Sequence, residues 1–153
     1  MHLDRLTDAS RSALERAFQR ASELRHAAVE PQHLLAALLA DDAGTAPSVL
    51  GSMGIDVPAL RRRVDEELAA SPTADHVAPS DQYLSQSLTK VLDRAEADAA
   101  RRKDRYTSAD QLLLALASVD TPARRLLDAA GVRRDMLEPA LQGLREAGLG
   151  TGF

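Results

Sequence analysis

The chain of 153 residues has no cysteine and no tryptophan, and only two phenylalanines and two tyrosines. Without cysteine there can be no disulfide, no thiolate nucleophile and no cysteine-ligated zinc, a usage expected of a cytoplasmic protein. So few aromatic rings leave nothing from which to build a base-stacking surface. A basic stripe is missing as well: 19 Lys and Arg stand against 23 Asp and Glu, scattered through both halves, for a net charge of −4. Nucleic acid is therefore not an expected partner. No run approaches the ~18 consecutive apolar residues of a membrane span. The opening Met1-His2-Leu3-Asp4-Arg5-Leu6 lacks the basic-then-apolar order of a signal peptide, so neither membrane insertion nor export is expected.

Chemical motifs are equally scarce. There is no Gly-x-x-x-x-Gly-Lys-Ser/Thr phosphate loop, no Gly-x-Gly-x-x-Gly and no Gly-x-Ser-x-Gly elbow. The four histidines, His2, His26, His33 and His76, do not show the i, i+4 spacing of a helical metal site. His26 and His33 read as lying on different helices, with His33 covering the start of the second one and bonding nearby backbone. Pairs such as Asp41-Asp42 and Glu66-Glu67 read as solvated faces. Arg61-Arg62-Arg63 and Arg101-Arg102-Lys103 have acids within about a turn, Asp65 and Glu66 for the first and Asp98 and Asp104 for the second, which reads as helix-surface ion pairing. The chain is thus expected to be no enzyme and to use no cofactor or metal.

What the chain does have is a repeat. Pro31-Gln32-His33-Leu34-Leu35-Ala36-Ala37-Leu38-Leu39 returns in large part as Ala109-Asp110-Gln111-Leu112-Leu113-Leu114-Ala115-Leu116, with Leu112 placed 78 residues after Leu34. At the same offset Ser85 answers Thr7, Leu92 answers Leu14 and Ala99 answers Ala21. Beyond the leucine segment the offset becomes 77, pairing Leu127 with Leu50, Gly131 with Gly54 and Leu137 with Leu60. Each copy reads as four helices. In the first, Thr7 caps a helix over about 7–25, Pro31 opens the leucine helix, Pro47 opens a short helix ended by Gly54, and Asp56 caps a fourth carrying Leu60, Val64 and Leu68. In the second, Thr121-Pro122 starts the short helix, and Leu141 and Leu144 continue the last one. No segment alternates apolar and polar residues, so no strand is expected.

The expectation is one all-α domain over residues 1–153: a first repeat at about 3–70, a linker at 71–82 with two prolines, a second repeat at about 83–146 and a flexible tail at 147–153. Two copies of a unit that cannot bury its apolar face alone should pack with pseudo-twofold symmetry. The paired leucines then form the core, and the seam between copies leaves a groove for binding.

The segments Leu3-Asp4-Arg5-Leu6-Thr7, Glu30-Pro31-Gln32-His33-Leu34-Leu35, Tyr83-Leu84-Ser85 and Asp104-Arg105-Tyr106-Thr107-Ser108 resemble the double Clp N-terminal repeat family, over about Leu3 to Leu144. The resemblance is closest to its ClpB branch, the AAA+ disaggregases. It implies a helical module, in front of ATPase rings, that takes exposed segments of unfolded or aggregated polypeptides, or adaptor proteins, in the groove between repeats. It implies a substrate-binding role for Thr7, Asp104 and Asp110. Arg94 and Gln111 stand at groove positions that tend to be apolar in that branch. The groove should therefore hold bare hydrophobic segments less well, at up to ~1.5–3 kcal/mol for each lost apolar contact, or favour acidic and polar ones. The related ClpC branch uses an acid at each leucine-helix start to bind phosphoarginine; here those positions are Gln32 and Asp110, so symmetrical recognition of such a mark is not expected. A stand-alone Clp-repeat protein, acting as adaptor, decoy or sequestering partner of a Clp machine, is the alternative reading. The isolated domain is expected to be monomeric.

Overall fold

The computed structural model describes residues 3–147; His2 and most of the expected tail, from Gly148, lie outside the described residues. Eight α-helices follow one another: α1 (Asp8–Glu23), α2 (Pro31–Ala40), α3 (Thr45–Ser52), α4 (Val57–Ala70), α5 (Gln86–Arg101), α6 (Ala109–Leu116), α7 (Pro122–Ala129) and α8 (Arg134–Glu146). The two halves use the same local chemistry. Thr7 Oγ1 accepts the Ser10 N–H at 3.2 Å to cap α1, and Ser85 Oγ accepts the Leu88 N–H at 3.0 Å to cap α5. Both helices end on a left-handed residue without being given a glycine, Arg25 at φ 59° and Lys103 at φ 60°. The next amide reaches back in each case, His26 N–H to the Ala21 carbonyl and Asp104 N–H to the Ala99 carbonyl. Where α3 and α7 end, Gly54 and Gly131 take φ of 80° and 91°, a conformation that a Cβ would penalise.

The leucine helices are the core. Leu34, Leu35, Leu39, Leu112, Leu113 and Leu116 are fully buried, and the buried apolar residues of both halves form one continuous cluster. Inside each half the first helix packs on the leucine helix, α1 on α2 and α5 on α6. Between halves, α2 meets α6 and α7, while α3 meets α6 and α8. The same elements face each other after exchange of the copies, which is the pseudo-twofold arrangement.

Three local expectations are corrected. α3 begins at Thr45, two residues before Pro47, so the proline occupies the first turn without opening it. Asp65 is paired with Arg20 of α1 at 2.9 Å and Arg61 with Asp42 at 2.5 Å, so these charges reach to neighbouring elements rather than along their own helix. Two strands exist where none was expected: β1 (Ala28–Val29) and β2 (Tyr83–Leu84), paired in parallel with Ala28 opposite Tyr83 and Val29 opposite Leu84. Two residues are too few to show a period of two.

Candidate functional site

The short strands define the seam. Val29 leads into the leucine helix of the first copy, yet it pairs with Leu84, which leads into the second copy. The exchange occurs again across the pseudo-twofold axis, where Leu6 of the first lead-in bridges in parallel to Thr107 of the second copy. Ser85 N–H donates to the Val29 carbonyl at 3.1 Å, and Thr7 N–H donates to the Thr107 carbonyl at 3.0 Å. Each copy therefore completes the other's entry into its leucine helix. The Thr107 carbonyl also accepts the buried Ser10 hydroxyl at 2.7 Å, tying the first turn of α1 to the second copy.

Immediately after Thr107 stands a polar cluster. Ser108 N–H donates to Gln111 Oε1 at 2.9 Å, a capping box, and Gln111 Nε2 donates to Asp104 Oδ2 at 2.7 Å. Arg145 of α8 lays its fork on Asp110, Nε to Oδ2 at 2.8 Å and Nη2 to Oδ1 at 3.0 Å, with Nη2 also donating to Ser108 Oγ at 3.2 Å. Ser108 Oγ donates in turn to Asp110, and Arg145 Nη1 lies 3.8 Å from Asp104 Oδ2. Asp110 is 1% exposed and Gln111 also 1%, so both carboxylate and amide are spent inside the protein. Asp104 is half-buried and lines a small seam pocket with Arg5, Tyr106 and Thr107.

Four of the five residues expected at the site, Thr7, Asp104, Asp110 and Gln111, are thus joined through Thr107 and Ser108. The fifth, Arg94, stands elsewhere: on α5 it pairs with the buried Asp98 at 3.3 Å, which Arg101 and Arg134 also bond. Burial, with Arg94 beside it, lowers the pKa of the Arg134 guanidinium.

The equivalent place in the first copy has different chemistry. At the 78-residue offset, His33 takes the place of Gln111 and His26 that of Asp104. Glu30 N–H donates to His33 Nδ1 at 2.9 Å, and His33 Nε2 lies 2.9 Å from His26 Nδ1. Burial, then His26, then Arg20 push the His33 pKa from 6.5 down to about 4. His33 does bond the backbone at the helix start. His26, however, lies in the turn after α1, not on a helix, and touches His33.

Sequence reasoning missed Ser10, Ser108, Arg145 and the His26–His33 contact. The offset itself carried a signal for the last, since it maps the pair onto Asp104 and Gln111; nothing local points from Asp110 to an arginine 35 residues away. Among the described residues no group of three or more His, Asp or Glu gathers as a metal site, and no helix is long and apolar enough to cross a membrane.

Residues 5–130 match the model of the Clp repeat (R) N-terminal domain. The chain is similar to chaperone protein ClpB 1 of Parasynechococcus marenigrum, 36% identical over 93% of this chain and 16% of that protein's length. It spans about a sixth of that relative. Its fold is shared by the Hsp104 N-terminal domain from Candida albicans, 23% identical with a TM-score of 0.79 over 92% of this chain and 91% of that one. It is shared too by the ClpV N-domain in complex with a VipB peptide, 20% identical with a TM-score of 0.74 over 99% of this chain and 92% of that one.

Proposed function

The chain belongs to the family of Clp repeat N-terminal domains, and from that membership we propose that it recruits unfolded or aggregated polypeptide, directly or through an adaptor, for a ClpB-like disaggregase. The observation that carries this reading is the exchange of lead-ins. It brings the first turn of α1, from the first copy, against the Asp104–Gln111 cluster of the second. A segment lying along this seam meets backbone from both copies at once.

In this reading Asp104, half-buried beside the seam pocket, and Thr7 meet the client. Asp110 and Gln111 act through others, Asp110 by fixing Arg145 and Gln111 by aiming Asp104. Arg94, half-buried and held by Asp98, takes no part in capture. The seam is polar at this end, which supports a preference for segments with a donor to offer Asp104 over wholly apolar ones. ATP-driven threading belongs to ring domains of a longer protein, with which this chain acts in cis. The ClpV complex with a peptide bears on the shared fold, and the recruiting role here rests on family membership and the seam.

The test is fluorescence anisotropy with a permanently unfolded probe, reduced and alkylated α-lactalbumin. Asp104→Ala is expected to weaken binding at least fivefold without changing the helical circular dichroism, while Arg94→Ala leaves it unchanged. Equal binding by the parent and Asp104→Ala would sink the assignment.

A further inference from the structure

β1 is joined to β2 along one edge only. Tyr83 N–H donates to the Ala27 carbonyl and Ser85 N–H to the Val29 carbonyl, each at 3.1 Å, so Ala27 and Val29 turn these groups toward β2. Successive residues of a strand address opposite edges, which turns both the N–H and the C=O of Ala28 away from β2. Neither group has a hydrogen-bond partner among the described residues, and Ala28 is half-buried. Glu30, still extended at φ −105° and ψ 163°, faces the same way two residues on, and its N–H goes to His33 Nδ1 at 2.9 Å. The open edge therefore lies on the side of His33 and the start of α2.

A cavity of about 230 Å3 lies on that side, lined by Ala28, Glu30, His33, Leu68, Ser71 and Pro72 among others. A water needs only ~10–15 Å3 of such volume, so the space is of side-chain size. The residues that line it after α4 do not complete the edge: Ser71 N–H is spent on the Leu68 carbonyl at 3.2 Å, and Pro72 has no N–H. In the second copy the 78-residue offset puts Tyr106 where the first has Ala28, whose single methyl leaves room beside the strand. Among the described residues lining the cavity Glu30 is the one acid, none is Lys or Arg, and Glu30 forms no ion pair with a described residue. His33, with its pKa at about 4, is neutral at pH 7. The cavity thus carries an uncompensated negative charge.

We propose that the open edge of β1 at Ala28 takes up an extended segment of a partner polypeptide as a third strand, with a lysine or arginine of that segment turned into the cavity toward Glu30. Main-chain bonds to a strand edge hold such a segment, and a pocket beside the edge selects among side chains. A helical partner has its backbone groups already paired and offers Ala28 nothing, while an acidic side chain is repelled by Glu30. The site lies beside β1 and not at the Asp104 cluster, so either can fail without the other.

The test titrates the peptide acetyl-Thr-Val-Lys-Val-Thr-amide into 15N-labelled protein, beside a copy with glutamate for lysine and a copy N-methylated at both valines and at lysine. The lysine peptide is expected to give a saturable shift of the Ala28 amide and to slow its hydrogen exchange. The glutamate copy should bind at least fivefold more weakly, and the N-methylated copy, which keeps the charge and loses the strand donors, should leave Ala28 unmoved. Glu30→Gln is expected to abolish the preference for lysine over glutamate. Ala28→Pro removes the outward N–H and none of the bonds to β2, and it is expected to abolish binding. Should Ala28→Pro not fold, the N-methylated peptide decides with the parent protein. Equal binding by the lysine and glutamate peptides, equal binding by the N-methylated copy, or shifts only around Thr7 and Asp104 would overturn the strand site and leave the seam reading untouched.

Discussion

His33 shows how one side chain can be set by its neighbours. Its folded pKa of about 4 lies below the ordinary 6.5. Between those values the unfolded chain binds a proton that the folded chain refuses, so the stabilisation is complete above pH 6.5 and lost as pH falls toward 4. The loss from this residue is at most ~3 kcal/mol. His33→Gln, which copies Gln111, is expected to flatten that part of the pH profile of the urea midpoint while keeping an acceptor for the Glu30 N–H; a profile as steep as the parent's would refute the role given to His33. At Asp110 the concern is charge. Arg145→Met leaves a buried carboxylate without its fork, and a loss of about 3 kcal/mol is expected by urea denaturation. Asp110→Asn should cost less, since a neutral amide is cheaper to bury. These contacts were only partly legible in the sequence. Histidines seven apart look unrelated at helical spacing, because it takes the left-handed turn at Arg25 to fold His26 back over the start of α2.

At the scale of elements, the repeat made most helices readable, since caps and glycines recur at the same places in both copies. Gly54 and Gly131 make the clearest test. A Cβ at Gly54 meets nothing within 4 Å and one at Gly131 only Ile55 Cδ1 at 3.7 Å, so replacement by alanine is resisted by the backbone alone. Both substitutions are expected to cost about 1–2 kcal/mol. Gly143, in the last turn of α8 with open space around it, should go the other way, Gly143→Ala gaining up to ~1 kcal/mol. Thermal melts of the three variants check this, and a stabilised Gly54→Ala would contradict it. The strands could not be read, for their pairing depends on which copy lies alongside and not on any pattern of their own. The start of α3 at Thr45 shows a second limit: a proline tolerated anywhere in the first turn does not mark the first residue.

For the whole molecule, duplication explains both the fold and the place of the proposed site. Copies that exchange lead-ins form one core and one seam, and the polar residues around the leucine-helix starts are where they have diverged: His26 and His33 in one, Asp104 and Gln111 in the other. The repeat could be read from the leucines, whereas the chemistry of the seam needed the fold, because Thr7 and Thr107 meet only through it. The direct measurement is a chemical-shift map of the 15N-labelled chain with unfolded polypeptide added. Shifts concentrated at Thr7, Asp104, Thr107 and the residues beside them, with the amides of Leu35 and Leu113 unmoved, are the expected result. Shifts clustered instead on the outer arginines of α4 and α5, or none at millimolar peptide, would contradict recruitment at the seam.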